Sequence, residues 1–152
     1  MTRPEAPYPG IANPATFRAA AILPAAGVWD AAPAEVYVAG FENLTLYITY
    51  TRGGAAGAVN FRVDLSPYAV DVAGVEDWFQ TPIYDPDALV AGADATSALQ
   101  REDFTYTAIG ATAETFVYTV PVAGAAERVR ILCREIGNIG APGDCHVVGV
   151  LW

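Results

Sequence analysis

The only histidine of the chain, His146, directly follows Cys145, and this pair is the first candidate for nucleophilic or metal chemistry. A cysteine nucleophile needs its histidine base within hydrogen-bond reach. Adjacent side chains of an extended strand point to opposite faces, so these two residues cannot pair. We therefore interpret His146 as a structural histidine at a strand edge.

Clustered carboxylates are the second candidate, because hard cations prefer oxygen ligands. Asp85, Asp87 and Asp94 lie in "DPDALVAGAD", which lacks both the third acidic ligand and the closing glutamate of an EF-hand. We interpret Asp85 and Pro86 as the start of an ordinary turn and predict no metal site.

A glycosidase needs two carboxylates at a set distance from each other. The sequence offers candidates but not their separation in space. They are Glu76, Asp77, Glu102 and Asp103. We predict no enzyme and no cofactor; an enzyme would require activity that is lost on Glu76→Gln or Glu102→Gln.

The amino-acid composition limits the remaining classes of function. The chain has 152 residues and a net charge of −9, from 17 acidic residues, eight arginines and no lysine. Phosphate binding relies on clustered basic residues, so a nucleic-acid partner is not expected. The lack of lysine removes Schiff-base chemistry and makes "GGAAG" at 53–57 a hairpin loop rather than a phosphate cradle. Hydrophobic residues at 53% predict one packed domain.

Neither a membrane span nor a secretion signal is expected. The longest weakly polar stretch, Ala19–Trp29, is broken by Pro24 and is shorter than the ~20 residues that cross a bilayer. The N-terminus "MTRPEAPYPG" has prolines and Glu5 where a signal peptide needs an apolar core.

Alternation with period two predicts an all-β fold from Phe17 onward: an antiparallel β-sandwich or jelly-roll-like domain over 17–152. In Leu44–Tyr50 the leucines, Ile48 and Tyr50 share one face, while Thr45, Tyr47 and Thr49 share the other. We predict that this strand forms a long hairpin with 59–65, with one buried face. Residues 1–16, which contain four prolines, are predicted to form an extended arm.

Two further hairpins are expected, 116–122 with 129–133 and then 129–133 with the valine-rich "CHVVGVLW", which is predicted to be central. A strand at Phe104–Thr107 follows an irregular segment. Cys133 and Cys145 would lie on the two limbs of the last hairpin, where a bridge is conceivable. Without a secretion signal, two buried reduced thiols are the favoured interpretation.

Aromatic residues are numerous, and several tyrosines fall on outward positions. Tyrosine and tryptophan are enriched where protein surfaces meet, although both also favour strands. A charge-poor outer face such as Thr45–Tyr47–Thr49 would be explained by a covering subunit. The alternative is a carbohydrate-binding platform made of Trp78, Phe79 and Tyr84, and glycan binding lost on Trp78→Ala would favour it.

The segments "LTLYITYTRGGAAGAVNFRVDLSPY" and "AERVRILCREIGNIGAPGDCHVVGV" resemble small all-β virion structural proteins of tailed bacteriophages, most closely the head-decoration proteins of thermophilic tailed phages. The resemblance implies a decoration or cement subunit on the virion surface, made in the host cytoplasm, that binds the major capsid protein or other virion proteins as a homo-oligomer, often a trimer. A tail-associated module is the nearest alternative. The expected interface residues are Pro4, Tyr8, Pro9, Ile11, Tyr47 and Trp152.

Overall fold

The computed structural model describes residues 14–80, 83–84, 99–100, 104–124 and 126–152, with backbone only at 83–84 and 99–100. This part of the chain is all-β, with one 3-10 turn at Ala25–Gly27. Its strands are β1 (Ala15–Ile22), β2 (Glu35–Tyr37), β3 (Asn43–Thr51), β4 (Ala58–Ser66), β5 (Phe79–Gln80), β6 (Ile83–Tyr84), β7 (Leu99–Gln100), β8 (Phe104–Thr107), β9 (Glu114–Pro121), β10 (Arg128–Glu135) and β11 (Asp144–Leu151).

These strands form two principal antiparallel sheets, as the alternation predicts. The four-stranded sheet has the order β1-β11-β3-β9. The five-stranded sheet has the order β2-β10-β4-β5, and β8 also pairs with β4. The short strands β6 and β7 pair with each other. The expected strand at Phe104–Thr107 is β8, and β11 is a central strand, as expected.

The core lies between the two sheets and is built from the predicted inward faces. Leu44, Leu46, Ile48 and Tyr50 of β3 are all 0% exposed. Burial of such side chains contributes roughly 25 cal/mol for each Å² removed from water, which makes it the main stabilising term. Packed aromatic rings fill the core beside β8 and β9. They are Phe61, Phe104, Tyr106, Phe116 and Tyr118.

The hairpin predictions are wrong, although the faces are right. β3 pairs with β11 and β9, whereas β4 pairs with β10, β5 and β8, so residues 52–57 cross from one sheet to the other. The β9–β10 and β10–β11 connections also cross between the sheets. Period-two alternation fixes which face of a strand is buried, but it does not choose the neighbouring strand. A glycine-rich connection serves a hairpin and a crossing equally well.

The prediction of a single buried face fails for β4. Its inward residues are buried, but Asn60, Asp64 and Ser66 on the opposite face are also no more than 4% exposed. This face is covered because Trp29 and Trp78 stack over its arginines, and Asn60 also donates hydrogen bonds to β8. β1 begins at Ala15, two residues before the predicted start of the domain. The described residues contain no helix long and apolar enough to cross a membrane.

A buried carboxylate anchors both sheets at one end of the sandwich. Glu135, which is 0% exposed, accepts a 2.6 Å hydrogen bond from the Tyr50 hydroxyl of the four-stranded sheet and a 3.0 Å bond from the N–H of Ala58 in the five-stranded sheet. It also accepts bonds from the N–H groups of Gly137, Asn138 and Gly143. One side chain therefore holds the ends of both sheets and the 136–143 connection.

These hydrogen bonds control the charge of the carboxylate. Burial alone would raise the pKa of Glu135, but the bonds from Tyr50 and from backbone N–H groups outweigh it, and the pKa is lowered. Burial, followed by the hydrogen bond to Glu135, raises the pKa of Tyr50. The pair is therefore a carboxylate that accepts a hydrogen bond from a neutral phenol.

Candidate interaction surface

Ten outward side chains of the four-stranded sheet form three rows across its strands, and a further outward row beside them holds Asp144 and Thr51. The pairing register places Thr16, Val148, Tyr47 and Val117 side by side in the central row. One flanking row holds His146, Thr49 and Thr115, and the other holds Val150, Thr45 and Thr119. We call these ten residues the neutral face, because they include no aspartate, glutamate, arginine or lysine.

Cross-strand hydrogen bonds organise the polar atoms of the neutral face. The hydroxyl groups of Thr45 and Thr119 lie 3.1 Å apart, and those of Thr49 and Thr115 lie 2.8 Å apart. The indole N–H of Trp152 donates to the Thr45 hydroxyl at 3.0 Å. Several hydroxyls thus have partners within the face, which lowers the cost of removing them from water.

Tyr47 and Val117 are the exposed apolar side chains of the neutral face, whereas Val148 and Val150 are half-buried. Tyr47 is 44% exposed, Val117 58% and the adjoining Trp152 49%. Each outward residue of a sheet occupies about 4.8 Å by 6.6 Å, so the ten residues cover roughly 300 Å². Five of the ten are threonines, so the neutral face is uncharged rather than uniformly apolar.

The opposite side of the molecule is built differently. Arginines from β4 and β10 project from the outer face of the five-stranded sheet, and two tryptophans lie over them; we call this the covered face. The guanidinium carbons of Arg62 and Arg134 lie 5.3 Å and 4.3 Å from the Trp29 ring centre. Those of Arg128 and Arg130 lie 4.9 Å and 4.4 Å from the Trp78 ring centre.

Carboxylates pair with three of these arginines, and the fourth, Arg134, donates a hydrogen bond from Nε to the side-chain oxygen of Asn60 at 2.8 Å. Asp64, whose side chain is 3% exposed, pairs with Arg130 at 2.9 Å and with Arg62 at 3.3 Å. Arg128 pairs with Glu35 at 2.6 Å and with Asp71 at 2.9 Å. Burial alone would lower the pKa of Arg128, but its hydrogen bonds to Asp71 and Glu35 raise the pKa overall.

Two of the predicted interface residues lie together. Tyr47 is at the centre of the neutral face, and Trp152 borders it through Thr45. Whether they anchor a partner stays a prediction. The remaining predicted interface residues, in the arm, lie outside the described residues. They are Pro4, Tyr8, Pro9 and Ile11.

The predicted carbohydrate platform is only partly described. The Trp78 ring stacks against Arg128 and Arg130. Phe79 lies in β5 and is 45% exposed. Tyr84 lies in β6, where only the backbone is described. The structure therefore does not bring the three rings together as a described surface.

Most of the predicted catalytic and metal-binding candidates lie outside the described residues: Glu102, Asp103 and the three aspartates at 85–94. Of the two candidates that are described, Glu76 is exposed, and Asp77 accepts a hydrogen bond from the N–H of Val72 at 2.8 Å. The described residues contain no cluster of three metal-ligating side chains. His146 projects from a central strand rather than a strand edge, and it faces away from buried Cys145, as expected.

The covered face and the Glu135 anchor were not predicted from the sequence. Asp64 lies opposite Arg130 because β4 pairs with β10. The charged residues alternate along both strands in the sequence, but the sequence does not show that these two strands pair. Nothing in the sequence signals that Trp29 and Trp78 lie over these arginines. No family model, curated protein or solved structure was found that matches this chain.

Proposed function

We propose that this protein is a bacteriophage virion structural protein, a capsid decoration or cement subunit at the virion surface that docks other virion proteins on its neutral face. The observation that carries the proposal is the contrast between an acidic chain and one broad exposed surface without charge. The resemblance of its strand segments to head-decoration proteins of tailed phages supplies the class of partner.

Charge explains why docking would use this face. A chain of net charge −9 repels acidic surfaces and copies of itself. Charged groups are also costly to remove from water unless they are paired, whereas valine, tyrosine and hydrogen-bonded threonine are not. The neutral face is therefore the described surface that a protein partner could cover at the least cost, with Tyr47 at its centre.

The order of the strands supports a jelly-roll connectivity. A jelly roll arises when a long hairpin of eight strands, paired 1·8, 2·7, 3·6 and 4·5, is wrapped around a core. Counting β1 to β5 and β9 to β11 as the eight strands, the corresponding pairs are β1·β11, β2·β10, β3·β9 and β4·β5. Viral capsid and lectin domains use this architecture, which is an argument by analogy only.

The arm would extend the contact area. Residues 1–13 precede the first strand, and thirteen extended residues at ~3.1 Å each could reach ~40 Å, as far as a neighbouring subunit. A subunit that contacts several shell proteins, through its face and its arm, adds buried area that must separate before the shell ruptures. Decoration would thus raise the temperature and the force at which the shell fails.

The direct test is addition of the purified protein to undecorated shells assembled from the major capsid protein of the same virus. We expect saturable co-sedimentation and a higher rupture temperature of the shell. Light-scattering mass of the full chain and of a variant lacking residues 1–13, which keeps β1 intact, tests whether the arm mediates self-association. An absence of shell binding by the full chain would refute the decoration role.

A further inference from the structure

Strand β9 forms an open edge of the four-stranded sheet. It is the last strand in the order β1-β11-β3-β9, and within this sheet it pairs with β3 on one side only. The N–H and C=O groups of successive residues in a strand point alternately to its two sides. Half of the β9 backbone therefore faces β3, and the other half faces away from the sheet, where it can pair with a further strand.

Hydrogen bonds at the start of β3 show which residues point in which direction. Asn43 and Trp152 donate to each other's carbonyl oxygen at 2.9 and 3.1 Å, so the odd-numbered residues of β3 direct their backbone groups towards β11. The even-numbered residues direct theirs towards β9. The bond from the Val122 N–H to the Glu42 carbonyl oxygen, at 2.9 Å, agrees with this assignment.

The open edge therefore consists of the odd-numbered residues of β9. In the observed register, even-numbered residues of β9 lie opposite even-numbered residues of β3 and bond to them. This leaves the N–H and C=O groups of Thr115, Val117 and Thr119 at the edge. Within the described part of the chain, none of these backbone groups has a hydrogen-bond partner.

This edge lacks the features that normally prevent strand pairing, which are charges, bulges and short length. Strand β9 has eight residues and pairs with β3 without a register shift. Its one charged residue, Glu114, accepts hydrogen bonds from the Tyr106 hydroxyl and from the N–H groups of Ile109 and Gly110. Pro121 lacks an N–H group, but it lies at the end of the strand.

The opposite edge of the same sheet is protected. The pairing of β1 with β11 is shifted between Thr16 and Arg18 and again between Arg18 and Ala21. Arg18, which pairs with Asp30 at 3.1 Å, donates to the carbonyl oxygens of Ala21 at 2.7 Å and Ile22 at 3.1 Å. In the five-stranded sheet, β2, β5 and β8 have only three, two and four residues. Among the edges of the two principal sheets, β9 is thus the one suited to pairing.

From this geometry we infer that β9 pairs antiparallel with β9 of a second copy of this chain, across a twofold axis at Val117. In this register Val117 lies opposite its own counterpart, and Thr115 lies opposite Thr119 of the partner subunit. Each of the three pairs exchanges two backbone hydrogen bonds, which gives about six in all. A register centred elsewhere would use fewer of the open groups. The inference does not depend on the proposed function.

The side chains favour a copy of the same strand as the occupant. Threonine pairs already join β3 to β9: the hydroxyls of Thr49 and Thr115 lie 2.8 Å apart, and those of Thr45 and Thr119 lie 3.1 Å apart. The twofold axis would place a further threonine pair on each side of Val117, and such cross-strand pairs stabilise sheets. The two neutral faces would then continue into each other. An edge without charges also avoids placing like charges opposite each other, which matters for a chain of net charge −9.

The contact is small. Seven paired residues give an edge about 24 Å long, and a sheet with its side chains is about 10 Å thick, so each copy contributes roughly 250 Å². A standard interface takes about 800 Å² from each partner. We therefore expect a reversible dimer with a dissociation constant on the order of 0.1 mM.

Cross-linking tests the register in the full-length protein. Val117→Cys places two thiols on strands whose Cα atoms are about 5.5 Å apart, which a disulfide can span. Thr115→Cys, at an equally outward position of β9, places them about 14 Å apart, which it cannot. The native Cys133 and Cys145 are free and buried in both variants. Under mild oxidation, Val117→Cys should form the covalent dimer about tenfold faster than Thr115→Cys. Equal rates, or no dimer from either variant, would overturn the inference.

Proline tests the backbone hydrogen bonds. Val117→Pro removes an outward N–H without removing a bond to β3, a position at which an edge strand tolerates proline. Val117→Thr keeps the N–H group and is the control. Sedimentation equilibrium at about 0.3 M salt, which screens the net charge, should show dimerisation at least tenfold weaker for Val117→Pro and within about threefold of wild type for Val117→Thr.

Circular dichroism establishes that each variant is folded, and if Val117→Pro is not, the cross-linking comparison decides alone. A wild-type chain that stays monomeric would overturn the inference and leave this edge to a strand of another protein. A folded Val117→Pro variant that dimerises as tightly as wild type would place the interface elsewhere and would overturn it as well.

Discussion

The two outer faces of this sandwich differ in what covers them. On the covered face, three of the four arginines pair with carboxylates, and two tryptophans stack over all four arginines. On the neutral face, no charge interrupts the three rows around Tyr47, and Tyr47 and Val117 are exposed. Between these two faces, the charges lie where the chain supplies its own cover and are left out of the three rows that it does not cover.

The physical reason is the cost of desolvation. Buried charges must be paired and hydrogen-bonded at all times, which suits permanent contacts within one chain. An uncharged face tolerates water and loses little when a partner displaces that water. The covered face therefore contributes to folding, and the neutral face is available for association.

Loss of the Glu135 anchor should have the largest effect, because it serves both sheets. Glu135→Gln places an N–H₂ donor against groups that are themselves donors, and we expect a loss of about 3 kcal/mol in the free energy of unfolding. Urea denaturation measures it. Glu76→Gln, at an exposed carboxylate, is the control and should change little; a loss below about 1 kcal/mol for Glu135→Gln would contradict the anchoring role.

Replacing a tryptophan should reduce stability more on the covered face than at the border of the neutral face. Trp78→Ala removes a partly buried ring and its contacts with Arg128 and Arg130, and we expect it to lower the free energy of unfolding by about 2–3 kcal/mol. Trp152→Ala, at the border of the neutral face, should cost about 1 kcal/mol or less. Equal losses in thermal or urea unfolding would show that the two faces do not differ in this way.

Acid should destabilise the fold through two glutamates whose pKa values the fold lowers. The pKa of Glu135 is lowered, as is that of Glu114, which accepts hydrogen bonds from the Tyr106 hydroxyl and from the N–H groups of Gly110 and Ile109. Both contribute stability that is complete above the ordinary glutamate pKa and is lost as pH falls towards the lowered values. Unfolding free energy measured against pH should therefore decline in acid, and less steeply in Glu135→Gln or Glu114→Gln. An unchanged slope in both variants would exclude these carboxylates as the cause.

The smallest effect on folding is expected at the centre of the neutral face. Tyr47→Ala should change the free energy of unfolding by about 1 kcal/mol or less, because Tyr47 is 44% exposed and lies outside the core. Calorimetry of the isolated chain measures this. A loss comparable to that of Trp78→Ala would mean that Tyr47 serves the fold rather than a partner.

The sequence predicted local features of the fold better than long-range ones. Alternation in Leu44–Tyr50 correctly separated the core residues from the outward threonines. In a strand, the face on which a side chain lies follows from its position relative to its immediate neighbours in the sequence. The choice of pairing partner for β3 depends on the whole chain, so β9 and β11 could not be distinguished from β4. Alternation alone cannot separate a hairpin from a crossing between sheets.

The candidate site shows the same division. The uncharged row of Thr45, Tyr47 and Thr49 was visible in the sequence, but its continuation through Val117 and Val148 required the register of three strands. The Arg18–Asp30 pair joins residues that touch the two cysteines through backbone atoms, which no residue pattern encodes. Such contacts arise from tertiary packing and could only be found in the structure.

The most direct test of the neutral face is to compare two aspartate substitutions at residues of matched exposure. Tyr47 is 44% exposed on the neutral face, and Phe79 is 45% exposed on β5 of the other sheet. Binding of each folded variant to undecorated shells is measured by co-sedimentation over a range of protein concentrations. The account predicts that Tyr47→Asp weakens binding about 100-fold or more, whereas Phe79→Asp binds within about threefold of wild type. Equal binding by the two variants, whether both strong or both weak, would contradict it.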